Sequence, residues 1–141
     1  HDKAINPPKP REVLVLGFVY PGLPPRELSP NARVGHFERS RAAASFKDDV
    51  IALIKEQISG KRGEIYRLED TIVSIRWGLP DKRKRDWDNL IAASKYLVDA
   101  LVTDRVISDD SVRDYTPRYG WFESPKKPLT EVKVYRLEYD D

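Results

Sequence analysis

The sequence predicts a single small α/β (α+β) domain, a mixed four-stranded sheet with two main helices in the order β-α-β-α-β-β. Two observations carry that expectation. Short runs rich in β-branched residues recur at Val13–Tyr20, Thr71–Trp77 and Leu129–Tyr139, while long stretches of helical period occupy Phe37–Ile58 and the segment that begins near Asp86. The length of 141 residues is one domain's worth, enough for one real core but not for two.

Taken in order, residues 1–11 are polar, carry Pro7, Pro8 and Pro10, and read as a flexible lead-in to a domain spanning 12–141. Val13–Tyr20 follows as a buried strand, with Gly17 marking a close backbone approach. The stretch from Pro21 to Arg33 is too dense in proline for regular structure and reads as a rigid loop. In the first helix Ala43, Phe46, Val50, Leu53, Ile54 and Ile58 share one face. Its other face mixes Arg39, Arg41, Lys47 and Lys55 with Asp48, Asp49 and Glu56, the pattern of a solvated surface.

Gly60-Lys61-Arg62-Gly63 ends that helix as a turn, and the alternation of Val73, Ile75 and Trp77 predicts a strand with one covered face. The second helix places Trp87, Leu90, Ile91, Ser94, Val98, Leu101 and Val102 on one stripe. Beyond it, Val106-Ile107 is expected to open a strand running through Asp109-Asp110 to about Tyr115. Thr116–Pro128 is expected to be a long loop holding Trp121 and Phe122, and Leu129–Tyr139 closes the domain.

Composition excludes several chemistries. There is no cysteine and His36 is the one internal histidine, so thiolate zinc sites, His-ligated zinc sites and triads lack their parts. The seven glycines form neither GxxxxGK[ST] nor GxGxxG, so no nucleotide cofactor is expected. The longest apolar run, Val13–Tyr20, is far too short to cross a bilayer and lacks signal-peptide form, so a cytoplasmic protein without a membrane partner is expected. Charged residues make up 34% of the chain but the net charge is only +2, so the distribution of charge says more than its sum.

That distribution converges on one stretch. The basic run Lys82, Arg83, Lys84, Arg85 leads into Asp86-Trp87-Asp88-Asn89 at a helix start. Residues two apart diverge mid-helix, but Asp86 as the cap and Asp88 in the first turn converge where the helix dipole and unpaired N–H groups favour negative charge. A second acidic pair, Asp109-Asp110, follows the helix. Carboxylates beside a basic cluster suit a hard divalent cation such as Mg²⁺ between acids and a phosphate. The same features also have a purely structural reading, because Asp is a favoured N-cap, Asp-Asp-Ser is ordinary turn material, and a basic run before a helix is commonly solvated.

The string Arg85-Asp86-Trp87-Asp88-Asn89-Leu90, then Asp99-Ala100-Leu101, then Asp109-Asp110-Ser111, resembles the RusA-type Holliday junction resolvases. The family pattern is a basic run into DxDN, a helix ending in D-A-L, and a D-D pair at the start of a strand, and the spacing from Asp99 to Asp110 fits it without a gap. Leu28-Ser29-Pro30-Asn31-Ala32-Arg33 is similar to a PPSxNxR-like stretch after the family's first strand, which would present Asn31 and Arg33 to a phosphate. One departure is clear. The family's lysine falls one turn after DxDN, where this chain has Ala92, and counting back from D-A-L assigns it to Lys95, with three residues inserted after Asp88.

The resemblance implies a Mg²⁺-dependent endodeoxyribonuclease, with Mn²⁺ as substitute ion, that resolves branched DNA and four-way junctions as a homodimer. It implies Asp86, Asp88 and Asp110 as metal ligands, Lys95 as a further positive charge at the phosphate, and Asn31, Arg33 and Lys82 to Arg85 as DNA contacts. Asn89, Asp99 and Asp109 stand in support, with Asp99 pairing locally with Lys95. The alternatives are a non-catalytic DNA-binding or structural module on the same fold and an unrelated metal-dependent phosphodiesterase. A helix of about 16 residues is roughly 24 Å long, so Asp110 meets Asp86 and Asp88 only if the chain doubles straight back along it, or if a second subunit supplies it.

Overall fold

The computed structural model describes residues 9–139, so the lead-in reading of Pro7 and Pro8 lies outside the described residues. The first strand, β1, is Arg11–Tyr20 and takes up the end of the expected lead-in. A 3-10 turn at Arg26–Leu28 interrupts the proline loop, and α1 spans His36–Ile58. Next come β2 at Thr71–Leu79, α2 at Trp87–Thr103, β3 at Tyr115–Glu123 and β4 at Leu129–Glu138. The element order and the mixed four-stranded sheet agree with the sequence reading.

The strands lie in the order β1-β4-β2-β3, with β2 and β3 parallel and both other pairs antiparallel. Two crossovers, β1-α1-β2 and β2-α2-β3, therefore step across the sheet in the same direction. Right-handed crossovers in one direction put both helices on one face. That face forms the core. Leu16 and Phe18, Val132 and Val134, and Val73, Ile75 and Trp77 meet Phe46, Val50, Ile54 and Ile58 of α1 and Ala93, Leu97, Val98 and Leu101 of α2. The buried stripe of α2 is turned from the predicted one: it keeps Ser94, Val98 and Leu101 and takes in Ala93, Leu97 and Ala100, while Leu90, Ile91 and Val102 are half-buried and Trp87 is exposed.

Among the described residues no helix covers the opposite face. Arg118 lies across it and donates two hydrogen bonds to the Glu12 carboxylate at 2.9 and 2.8 Å, while Arg76 sits over the Phe122 ring at 5.0 Å. Ile72 and Ser74 on that face are buried all the same.

The expected strand from Val106 to Tyr115 does not form. Val106 and Ile107 are fully buried, but the segment makes only an isolated bridge, Leu68 to Ile107, and turns through Ser111 to Asp114. The third strand instead lies where a loop was expected, and Trp121 and Phe122 are strand residues. Pro117 and Gly120 disguised it. Pro117 is tolerated because β3 is an edge strand hydrogen-bonded only to β2. Among the described residues no helix is long and apolar enough to cross a membrane.

Among the described residues two buried side-chain groups lack a partner their chemistry calls for, the Trp77 indole N–H and the Ser94 hydroxyl. Ser94, on the buried face of α2, is 1% exposed and its hydroxyl has no hydrogen-bond partner. A buried, unsatisfied hydroxyl costs about 1–3 kcal/mol, and alanine is also the better helix former. Ser94→Ala is therefore expected to stabilise the fold by about 1 kcal/mol, read as a higher urea midpoint at unchanged slope.

Candidate functional site

The site is built at the end of the core where β2 delivers the chain to α2. The loop between them is folded on Asp81, whose Oδ1 accepts from the Arg83 backbone N–H at 3.0 Å and from the Arg85 guanidinium at 2.9 Å. Arg85, with a side chain only 12% exposed, is thereby turned inward and its charge matched locally. The guanidinium, and after it the Arg83 N–H, hold the Asp81 carboxyl below the usual carboxylate range. Ionised Asp81 thus supports the loop at neutral pH, and that support is lost only as the pH falls through the lowered value. Lys82, Arg83 and Lys84 are left exposed, and none of them makes an ion pair among the described residues.

Asp86 is the N-cap of α2, and its Oδ1 accepts from the Asp88 backbone N–H at 3.0 Å. The helix start expected from the sequence is the one observed. Asp88 stands exposed in the first turn, so the two acids share a helix N-terminus, where orphan N–H groups and the dipole favour them.

The proline loop arrives at the same place from far along the chain. Asn31 Nδ2 donates to Asn89 Oδ1 at 3.0 Å, and Arg39 fixes the loop by donating to the carbonyls of Ser29 at 3.3 Å and Ala32 at 3.2 Å. Leu28 anchors it in the core at 3% exposure. Between the loop and Arg83–Asp86 lies a hollow of about 290 Å³ bordered by Pro24, Arg26, Ser29 and Asn89. Arg33 is exposed nearby in sequence but takes no part in lining it. Sequence reasoning assigned Arg39 to a solvated face and so missed its structural task, which only the fold of the loop reveals.

Other candidate residues are elsewhere. Val106 N–H bonds the Leu101 carbonyl and Ser108 N–H the Leu68 carbonyl, so the chain leaving α2 is pinned at the helix C-terminal end and does not double back. Asp109 and Asp110 are exposed there, Asp109 Oδ1 accepting from the Asp110 N–H at 2.8 Å. Asp110 and Asp99 lie close enough to Tyr115 to help raise its hydroxyl pKa, after burial and Tyr119. Asp99 is thirteen residues beyond Asp86, roughly 20 Å along the helix axis. Asp110 therefore does not join Asp86 and Asp88, and it stands in a turn, not at a strand start. Among the described residues no three His, Asp or Glu side chains come close enough to hold one ion.

Lys95 is exposed on α2, and the expected ion pair with Asp99 is absent among the described residues. A lysine N-terminal to its acid has the less favourable orientation against the helix dipole, and both groups stay solvated.

Asp86 has a structural duty that can be separated from any chemical one. Asp86→Ala is expected to cost about 1 kcal/mol in chemical denaturation, whereas Asp86→Asn, still a good cap, should cost close to nothing. Neither a family model nor a curated protein matches this chain.

Proposed function

We propose that the chain is a Mg²⁺-dependent endodeoxyribonuclease acting in the cytoplasm on branched DNA, with four-way junctions as its principal substrate. The observation that carries this reading is the meeting of three segments at the N-terminus of α2. Asp86 and Asp88 stand at the helix start, Lys82, Arg83 and Lys84 lead into it, and the Asn31–Asn89 hydrogen bond brings the proline loop beside them. The resemblance of Arg85–Leu90 and Asp99–Leu101 to RusA-type resolvases supports the same reading.

Two carboxylates at a helix N-terminus suit Mg²⁺, which keeps most of its water and binds through one or two carboxylates together with a substrate phosphate. They do not make a three-carboxylate site within one chain, since Asp110 lies at the other end of the helix. When bound, the ion activates water and neutralises charge on the phosphate. Asp86 gives one oxygen to the Asp88 N–H and keeps the other free, while Asp88 keeps both. Lys82, Arg83 and Lys84 hold the phosphate backbone without reading sequence.

Lys95 follows Asp88 by seven residues, about 10 Å along the axis, and helix side chains lean toward the N-terminus, which is the direction of the acids. Its role is further positive charge for the scissile phosphate. A four-way junction has two-fold symmetry and needs two matched cuts, so a homodimer is part of the proposal, and Asp110 reaches such a site only from a second copy.

The separation of Asp110 from Asp86 favours one rival, a non-catalytic DNA-binding module. Incubation with four-way, three-way and linear DNA decides between them. With Mg²⁺ or Mn²⁺ the four-way junction is expected to be cut fastest, and excess chelator should stop cleavage while leaving binding nearly intact. Asp86→Asn and Asp88→Asn should each lower the rate by about 100-fold or more, and Lys95→Ala should lose most cleavage but little binding. Tight junction binding with no cleavage under either ion would establish the rival.

A further inference from the structure

A second concavity, larger than the hollow above, opens on the other side of the basic loop. It has a volume of about 570 Å³, within the range of ligand sites, and Trp87, Trp121, Leu79, Leu90, Pro80 and Pro125 give it apolar walls. Its two indoles are exposed, Trp87 at 45% and Trp121 at 54%, whereas the third tryptophan, Trp77, is fully buried. Large aromatic surface left in water beside a concavity marks a binding surface more often than a scattered exposed residue does.

One of the two indoles is held from beneath by aromatic packing. The Trp87 ring meets Trp77 edge-on, with centroids 5.8 Å apart and planes at 66°, and Trp121 is the β3 partner of Trp77 in the parallel register. Trp77 is itself stacked on Tyr119 at 5.7 Å. The Trp87 ring therefore rests on a packed base, with Trp121 exposed on the neighbouring strand, and a planar ligand meets a partly preformed surface at reduced ordering cost.

Charge at the cleft is asymmetric. Asp81 is matched by Arg85, and Lys82 and Arg83, exposed and without an ion pair among the described residues, stand on the wall formed by the basic loop. Glu123 lines the wall formed by β3, so an anionic backbone is steered to the loop side. An apolar aromatic wall facing a cationic rim matches a nucleotide of single-stranded DNA, with the base on indole and the phosphate on Lys or Arg.

We propose that this cleft stacks an unpaired base of the DNA, with the adjoining phosphate on Lys82 and Arg83. The proposal rests on the reading of the chain as acting on branched DNA, where the bases flanking the branch point are the ones most easily drawn out of pairing. It gives that reading a structural element that senses the branch itself: base pairs in continuous duplex offer no face to stack, so the cleft discriminates a branch from linear DNA without base-edge contacts.

The test uses the full chain in chelator, so that no cleavage occurs, and follows intrinsic tryptophan emission. A single-stranded oligothymidylate of about a dozen nucleotides is expected to quench emission, because the stacked base lies on exposed indoles. A strand of the same length built of abasic sites keeps the phosphates and removes the bases. It should bind about tenfold more weakly and leave emission unchanged. Trp121→Ala should weaken binding of the oligothymidylate about tenfold, and Trp121→Phe should restore most of it, which also guards against a folding defect. Lys82→Ala combined with Arg83→Ala should lower the salt dependence of binding.

Equal affinity for thymidylate and abasic strands, equal quenching by blunt duplex, or a Trp121→Ala variant that binds like the parent would each overturn the proposal. An absence of any emission change would do so too and would turn the cleft over to a protein partner. Failure here is distinguishable from failure of the nuclease reading. Junction cleavage with an indifferent Trp121→Ala removes only the cleft, and stacking without cleavage of any DNA removes only the nuclease.

Discussion

The indole of Trp77 joins the scaffold to both surfaces that matter. It is fully buried at the far end of β2, stacks on Tyr119 of β3, and takes the edge of Trp87 at the first residue of α2. Aromatic pairs of this kind add about 0.5–1.5 kcal/mol each beyond their area, but their larger effect is geometric. Through them the start of α2 is fixed against the edge of the sheet. The carboxylates of Asp86 and Asp88 and the wall of the neighbouring cleft then share one rigid base.

The same region gives its charged residues duties in the fold that their place in the sequence does not announce. Arg85 belongs to the basic run by sequence, yet it is turned into the loop on Asp81 and contributes shape, not free charge. Asp86 caps the helix with one oxygen and keeps the other. Such sharing is economical because an N-terminus wants negative charge for its own dipole, so holding two acids together there is less costly than elsewhere on the surface. It also means that a loss of activity after mutation speaks for chemistry only when the replacement preserves the cap.

The opposite end of α2 is organised by a different constraint. Asp104, 8% exposed, receives Lys55 Nζ at 2.9 Å and the Arg62 guanidinium at 3.1 Å, and Arg62 also donates to the Asp104 carbonyl at 2.9 Å. This ties the C-terminus of α2 to the end of α1 and to the turn that follows it. With Val106 and Ile107 buried directly behind it, the chain is committed to that end of the molecule, and Asp99, Asp109 and Asp110 stay there. A helix about 25 Å long separates the two acidic groups, a distance that no side-chain rotation closes.

What the sequence determined by itself was local. The extent of both helices, the cap at Asp86 and the three strands with clear alternation follow from periodicity and capping, which act over a few residues. What only the tertiary structure decided was long-range. The strand at Tyr115–Glu123 exists because β2 offers it a parallel edge, despite a proline and a glycine that argued for a loop. The contact between Asn31 and Asn89, the inward turn of Arg85, the exposure of Trp121 and the distance of Asp110 from Asp86 all depend on the direction in which two right-handed crossovers step across the sheet. No spacing along the chain encodes that direction.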